Sequence, residues 1–156
     1  MTQAGRWHTR EDSGLRLDRE GRWWHDDEPV EHPRVIETFN RGLEPAEGGR
    51  YVLRVGNDWC FVQVEGAAYR VVAVDDAPGG PWVRLSDRTV EVLDGASLSL
   101  DEDGALTCGV KAGRARARFS RDAQYQLAPW LDEEENGGIC LRLPSGRFPV
   151  GNPHQS

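Results

Sequence analysis

Apolar and polar residues alternate with a period of two along most of this chain, and the period lengthens to a helical one only twice. Short strands are expected at 15–18 and 22–25, joined by the turn Arg19-Glu20-Gly21. From 33 the spacing changes. Val35, Ile36, Phe39 and Leu43 fall at i, i+1, i+4 and i+8, the single stripe of an amphipathic helix. Pro33 suits the first helical turn, where no N–H is needed, and Gly42 and Pro45 end the helix. Strands at 51–55, 59–64 and 69–74 follow as a meander, with Asn57-Asp58 and Gly66-Ala67 as its turns. The run Ala77-Pro78-Gly79-Gly80-Pro81 interrupts the pattern and marks the expected boundary between two halves.

The second half restarts with strands at 82–85, 89–93, 105–110 and 114–119. Ser120 is placed to cap a helix beginning at Arg121, with Ala123, Leu127, Trp130 and Leu131 on one face. Pro129 kinks or shortens that helix. Strands at 139–143 and 147–150 close the chain. Two stretches, about 20–56 and 112–146, share an order: a Gly-Arg strand, a helix, an acidic turn into Gly-Gly, and a strand. The last strand carries Leu53-Arg54-Val55 in one copy and Leu141-Arg142-Leu143 in the other. The fold expected is therefore α+β, with duplicated strand-helix-meander units forming one compact core. Its parts are a polar tail at 1–13, which Trp7 could pin down, halves at 14–76 and 77–151, and a tail at 152–156.

Composition narrows the function classes. A net charge of −7 gives no generic basic footprint for a nucleic-acid polymer and no polybasic membrane segment. No apolar run approaches the roughly 18 residues of a membrane helix, and the N-terminus lacks the apolar core of a secretory signal. Cys60, Cys108 and Cys140 are odd in number and widely spaced, which argues for reduced, buried thiols. A reducing, bacterial-type cytoplasm is the simplest location. Lys111 is the only Lys, and the other eighteen of nineteen basic residues are Arg. That bias reflects either a GC-rich genome or recognition of anions by the planar guanidinium fork.

Candidate chemistry is sparse. In Trp23-Trp24-His25-Asp26-Asp27, the imidazole suits proton transfer, and Asp27 rather than Asp26 would share its strand face. No nucleophile elbow accompanies it, so a structural or ligand-contacting His25 is expected and no catalytic residue is assigned. His8, His25, His32 and His154 lack metal-ligand spacing, and neither Gly-rich run matches a phosphate loop, so no metal or cofactor is expected. On a strand, Arg114, Arg116 and Arg118 project from one face while Ala115, Ala117 and Phe119 enter the core. Three guanidiniums in a row need neighbouring carboxylates or a bound anion.

Several of these segments together resemble a bacterial family of unknown function, the one numbered 1285. They are L-R-L-D-R-E-G-R-W-W-H-D, H-P-R-V-I-E-T-F, G-G-R-Y-V-L and V-Q-V-E over 15–65, and A-R-F-S-R-D-A-Q-Y-Q-L later in the chain. The family's V-E-D-A-P-F reads here Val64-Glu65-Gly66-Ala67-Ala68-Tyr69, and its T-P-x-E-K stretch is replaced by Val55-Gly56-Asn57-Asp58-Trp59. The resemblance implies a duplicated α+β core whose second half is loosely pleckstrin-homology-like. It also implies a ligand site between the halves and a role in signalling. The function expected is a non-catalytic, small-ligand-binding or sensory module for signal transduction. Its ligand would be anionic and nucleotide-like, contacted by Trp23, Trp24, His25, Arg114, Arg116 and Arg118. The alternatives are a domain that binds a signalling protein without a small ligand, and an enzyme of unrecognised type.

Overall fold

The structure, a computed structural model, describes residues 9–151. The chain divides into two compact units, one ending at Gly66 and the other starting at Ala67. Trp7, His8 and the tail at 152–156 with His154 lie outside the described residues.

Unit 1 is built from two antiparallel meanders. The first comprises β1 (Leu15–Leu17), β2 (Trp23–His25) and β3 (Glu28–Pro29). Helix α1 (Pro33–Gly42) follows. The second meander comprises β4 (Leu43–Pro45), β5 (Tyr51–Val55) and β6 (Asp58–Val64). Parallel pairing of β1 with β6, Arg16 beside Gln63 and Leu17 beside Val64, joins them into one sheet ordered β3-β2-β1-β6-β5-β4. Leu17, Trp23, Leu43, Leu53 and Val62 form its core. Trp23 is 1% exposed, meets Phe39 of α1 edge-on at 5.2 Å, and donates from Nε1 to Asn40 Oδ1 at 2.8 Å. A ring of this size contributes on the order of 4–6 kcal/mol at roughly 25 cal/mol per Å² buried. The end of α1 comes so close to β5 that a Cβ on Gly42 would sit 2.3 Å from the Arg54 carbonyl oxygen.

Unit 2 repeats this topology. β7 (Tyr69–Ala77), β8 (Gly80–Leu85) and β9 (Val90–Val92) form one meander. β10 (Ser99–Leu100), β11 (Leu106–Val110) and β12 (Ala115–Phe119) form the other. β7 pairs in parallel with β12, and the order β9-β8-β7-β12-β11-β10 matches that of unit 1 strand for strand. One further bond fixes the equivalence. Glu65 N donates to Leu17 O at 2.9 Å, and Ser120 N donates to Val71 O at 3.0 Å. Leu17 therefore corresponds to Val71, and Val64 to Phe119. The expected fold class, α+β with a duplicated unit, is the one observed.

Helix α2 (Arg121–Leu127) starts where the capping residue predicts, with Ser120 Oγ accepting from Ala123 N at 3.1 Å. It packs on β7 and β12. A register shift between Val71 and Ala73 disturbs the β7–β8 ladder, and Gln126 Oε1 accepts the Val74 N–H beside it at 2.7 Å. Pro129 converts the helix end to a 3-10 turn, Ala128–Trp130. A three-stranded sheet follows, β13 (Leu131–Glu133), β14 (Ile139–Leu143) and β15 (Gly146–Pro149). The correspondence legible in sequence is real but local: each helix feeds a meander. Leu43 faces Leu53 as Leu131 faces Leu141, and the diagonal ion pair Glu44–Arg54 recurs as Asp132–Arg142. The larger repeat, of six strands, has a different offset.

Three expectations need correction. The expected boundary at 77–81 is a hairpin turn within unit 2, because Gly79 and Gly80 supply the positive φ (90° and 132°) that lets Ala77 pair with Gly80. Residues 9–13 are no loose tail: Arg10 O accepts from Phe61 N at 2.8 Å, and Ser13 Oγ donates to Phe61 O at 2.6 Å. The three thiols are free, but only Cys108 and Cys140 are buried, while Cys60 is half-buried. Burial pushes the Cys108 thiol up to about 12, and it also raises Cys60. Titration of the native protein with a thiol reagent should label Cys60 slowly, and Cys108 and Cys140 only after denaturation. Fast native labelling of Cys108 would contradict this packing.

Candidate functional site

Pairing across three strands assembles the most chemically varied face of unit 1. Arg16 in β1 lies opposite Trp24 in β2 and beside Gln63 in β6, so the three side chains share a face. Alternation along β6 adds Trp59 and Phe61 to that face. A guanidinium stands over each ring: Arg16 over Trp24 at 5.0 Å, Arg50 over Phe61 at 3.3 Å and Arg10 over Trp59 at 4.7 Å. Each such stack contributes about 0.5–1 kcal/mol at an exposed site. Every one of these Arg also has a carboxylate partner: Glu65 at 3.4 Å, Glu11 at 2.7 Å and Asp58 at 3.7 Å, respectively for Arg16, Arg50 and Arg10.

A cavity of about 510 Å³ opens on this face, with Arg16, Trp24, Arg50, Phe61 and Gln63 on its walls. Its volume lies within the roughly 300–1,000 Å³ of small-molecule sites. Four carboxylates, Glu11, Asp12, Asp26 and Asp27, line it against the two guanidiniums. The site can therefore stack a planar group, donate from guanidinium and accept from N–H donors.

Asp18 holds the Trp24 wall in place. Its side chain is 8% exposed and accepts from Trp24 Nε1 (2.9 Å), Arg22 Nε (3.1 Å) and the backbone N–H of Glu20 and Arg22 (2.9 and 2.8 Å). Burial by itself would raise the carboxyl pKa, but the donors from Trp24, Arg22 and Glu20 outweigh it and hold the pKa below the usual value.

The structure separates the residues singled out in the sequence. Trp23 is core. Trp24 is a cavity wall. His25 is exposed at the end of β2, with Nε2 3.6 Å from Asp26 Oδ2. The expected His25–Asp27 partnership gives way to Asp26, because the strand ends at His25. Asp26 and Asp27 form the turn with φ of 49° and 67°, and strand alternation no longer applies. Arg114, Arg116 and Arg118 lie in unit 2, with Ala115, Ala117 and Phe119 buried beneath them as expected. Arg116 Nη2 donates to Ser99 Oγ (2.8 Å) and Thr107 Oγ1 (2.7 Å), and Arg118 pairs with Asp101 (3.5 Å) and Asp103 (3.8 Å). The six-strand repeat sets Phe61 and Gln63 of β6 equivalent to Arg116 and Arg118 of β12, and Trp59 to Arg114 just before that strand. Sequence reasoning missed Trp59, Phe61, Arg16 and Arg50, although the alternating W-x-F-x-Q was a signal for the first two. Among the described residues, no group of three or more His, Cys, Asp or Glu could hold a metal ion, and no helix is long and apolar enough to cross a membrane.

No protein-family profile and no curated protein matches the chain. Two solved structures do. A DUF1285 family protein from Silicibacter pomeroyi DSS-3 superposes with a TM-score of 0.66 at 22% identity, over 88% of this chain and 79% of the other. A second, from Shewanella baltica OS155, gives 0.57 at 18% identity, over 75% and 91%. The chain has a DUF1285-like fold. The β5–β6 turn, Gly56-Asn57, leads into Trp59 at the edge of the aromatic face.

The Asp18 geometry makes a prediction. Asp18→Ala should destabilise unit 1 by about 2–4 kcal/mol, since it leaves several donors without an acceptor, and Asp18→Asn by less. A depressed folded pKa means the carboxylate's contribution is complete above the unfolded value of about 3.9 and is lost as pH falls through the folded one. Denaturant titrations should show the gap between wild type and Asp18→Asn closing below about pH 4. A gap that stays constant down to pH 2 would contradict the assignment.

Proposed function

We propose that this chain is a non-catalytic ligand-binding module acting in signal transduction, and that its ligand is a planar, nucleotide-like molecule. The observation that supports this most is the pairing of Trp24 with Arg16 and of Phe61 with Arg50 on the walls of one 510 Å³ cavity. A base would stack on Trp24, and its N–H edge would meet the Asp carboxylates. Its anionic group would compete with Glu65 and Glu11 for the two guanidiniums. Four carboxylates around two Arg favour one anionic group over a polyphosphate, because each added charge is repelled. Three free thiols, two of them buried, accord with a cytoplasmic location.

A second reading rests on a different observation. The edge strand β9 exposes Val90 and Val92 (47% and 56%), an arrangement to which a protein partner could add a strand.

Calorimetric titration with nucleoside monophosphates tests the proposal. Trp24→Ala and Arg16→Ala should each weaken binding by about ten-fold or more, as expected for loss of one stacking or charged contact. Arg116→Ala should leave it unchanged. Loss of binding in Arg116→Ala alone would move the site to β12, and no binding by any nucleotide would favour the partner-strand reading.

A further inference from the structure

The two repeats finish one end of the sheet differently. In unit 2, Tyr69 opens β7 and is 1% exposed. Lys111 Nζ stands 5.1 Å over its ring and binds Asp87 Oδ2 at 2.5 Å and Thr89 Oγ1 at 2.9 Å. An aromatic ring and a shielded ion pair thus fill that end. In unit 1, Leu15 holds the equivalent position, two residues before Leu17 as Tyr69 is two before Val71. Across the strand pair, His25 faces Leu15. Ser86 N donates to Arg70 O at 2.9 Å, which sets the next residue, Asp87, beside Tyr69. His25 therefore stands where Asp87 does. The chain's one lysine serves unit 2, and Leu15 is too short to occupy the space of a tyrosine ring.

The space in unit 1 is a cavity of about 520 Å³ between α1 and the sheet. Leu15, Val30, Val35, Phe39 and Cys60 wall it, and Arg10, Asp58 and His25 also line it. Its presence accounts for the 38% exposure of Val35, a residue on the apolar stripe of α1. Leu15 and His25 lie on the opposite face of the sheet from Arg16 and Trp24, so this cavity opens away from the one described above, with Ser13 and Leu15 on the walls of both.

We propose that this cavity is a second binding site and that it takes a small aromatic carboxylate. The ring occupies the place that Tyr69 fills in the repeat. The carboxylate meets the Arg10 guanidinium, whose contact with Asp58 is 3.7 Å long, between side chains 55% and 87% exposed. Such an exposed pair is weak and yields to a ligand held in place by its ring.

The probe is 4-hydroxyphenylacetate, titrated to millimolar concentration and followed by amide and indole NMR signals. Saturable shifts are expected at Trp59, Cys60 and Leu15, with the Trp24 indole unmoved. Leu15→Tyr copies the repeat and should weaken binding by about ten-fold or more, and Val35→Trp fills the same space should that variant not fold. Arg10→Ala should weaken the carboxylate probe by about ten-fold and leave the neutral analogue 4-ethylphenol unchanged. The site does not exist if the probe moves none of these signals, or if the cavity-filling variant binds as tightly as wild type. Equal losses of both probes in Arg10→Ala would overturn the carboxylate assignment. Nucleotide binding at the Trp24 cavity is read separately, at the Trp24 indole, and Val35→Trp, which lies outside that cavity, is the variant that distinguishes the two sites.

Discussion

Parallel pairing of the first strand of each six-stranded sheet with the last in sequence is the contact on which the architecture depends. Without it, each unit is two short meanders with unpaired inner edges. With it, buried Leu17 lies against half-buried Val64, and buried Val71 against buried Phe119. The join closes loops of nearly fifty residues, so its entropic cost is met only by burial made at the same moment. Its register is also unforgiving. A slip of one residue would turn Leu17 outward and Arg16 into the core.

That register decides which side chains meet. Trp23 and Trp24 are neighbours in sequence and have opposite fates, one against Phe39 in the core and the other against Arg16 on the cavity wall. Asp18 makes the second fate stable. As a buried carboxylate it would be costly alone, yet it shapes the β1–β2 turn and anchors the Trp24 indole with the same two oxygens. The cavity is thus held by structure that also closes the hairpin.

The two units share a strand order and have diverged on their faces. Where β6 presents Trp59, Phe61 and Gln63, β12 presents Arg116, hydrogen-bonded to two hydroxyls, and Arg118, paired with Asp101 and Asp103. Where unit 2 fills one end with Tyr69 and a Lys111–Asp87 pair, unit 1 leaves it open. One scaffold therefore carries two differently finished copies, and the first of them holds two cavities.

Local order was legible along the chain because it depends on neighbours a few residues apart. Alternation located the strands of both meanders, Pro33 and Ser120 located the helix starts, and Ala115, Ala117 and Phe119 were assigned to the core correctly. The Gly-Gly run at 79–80 misled, since positive φ serves a hairpin turn as readily as a linker. Nothing local announces that β1 lies beside β6, and so nothing local brings Arg16 over Trp24 or leaves a space beside Leu15. Those features need strands far apart in sequence to share a register, and only the tertiary structure sets that register, by burying one face of each sheet.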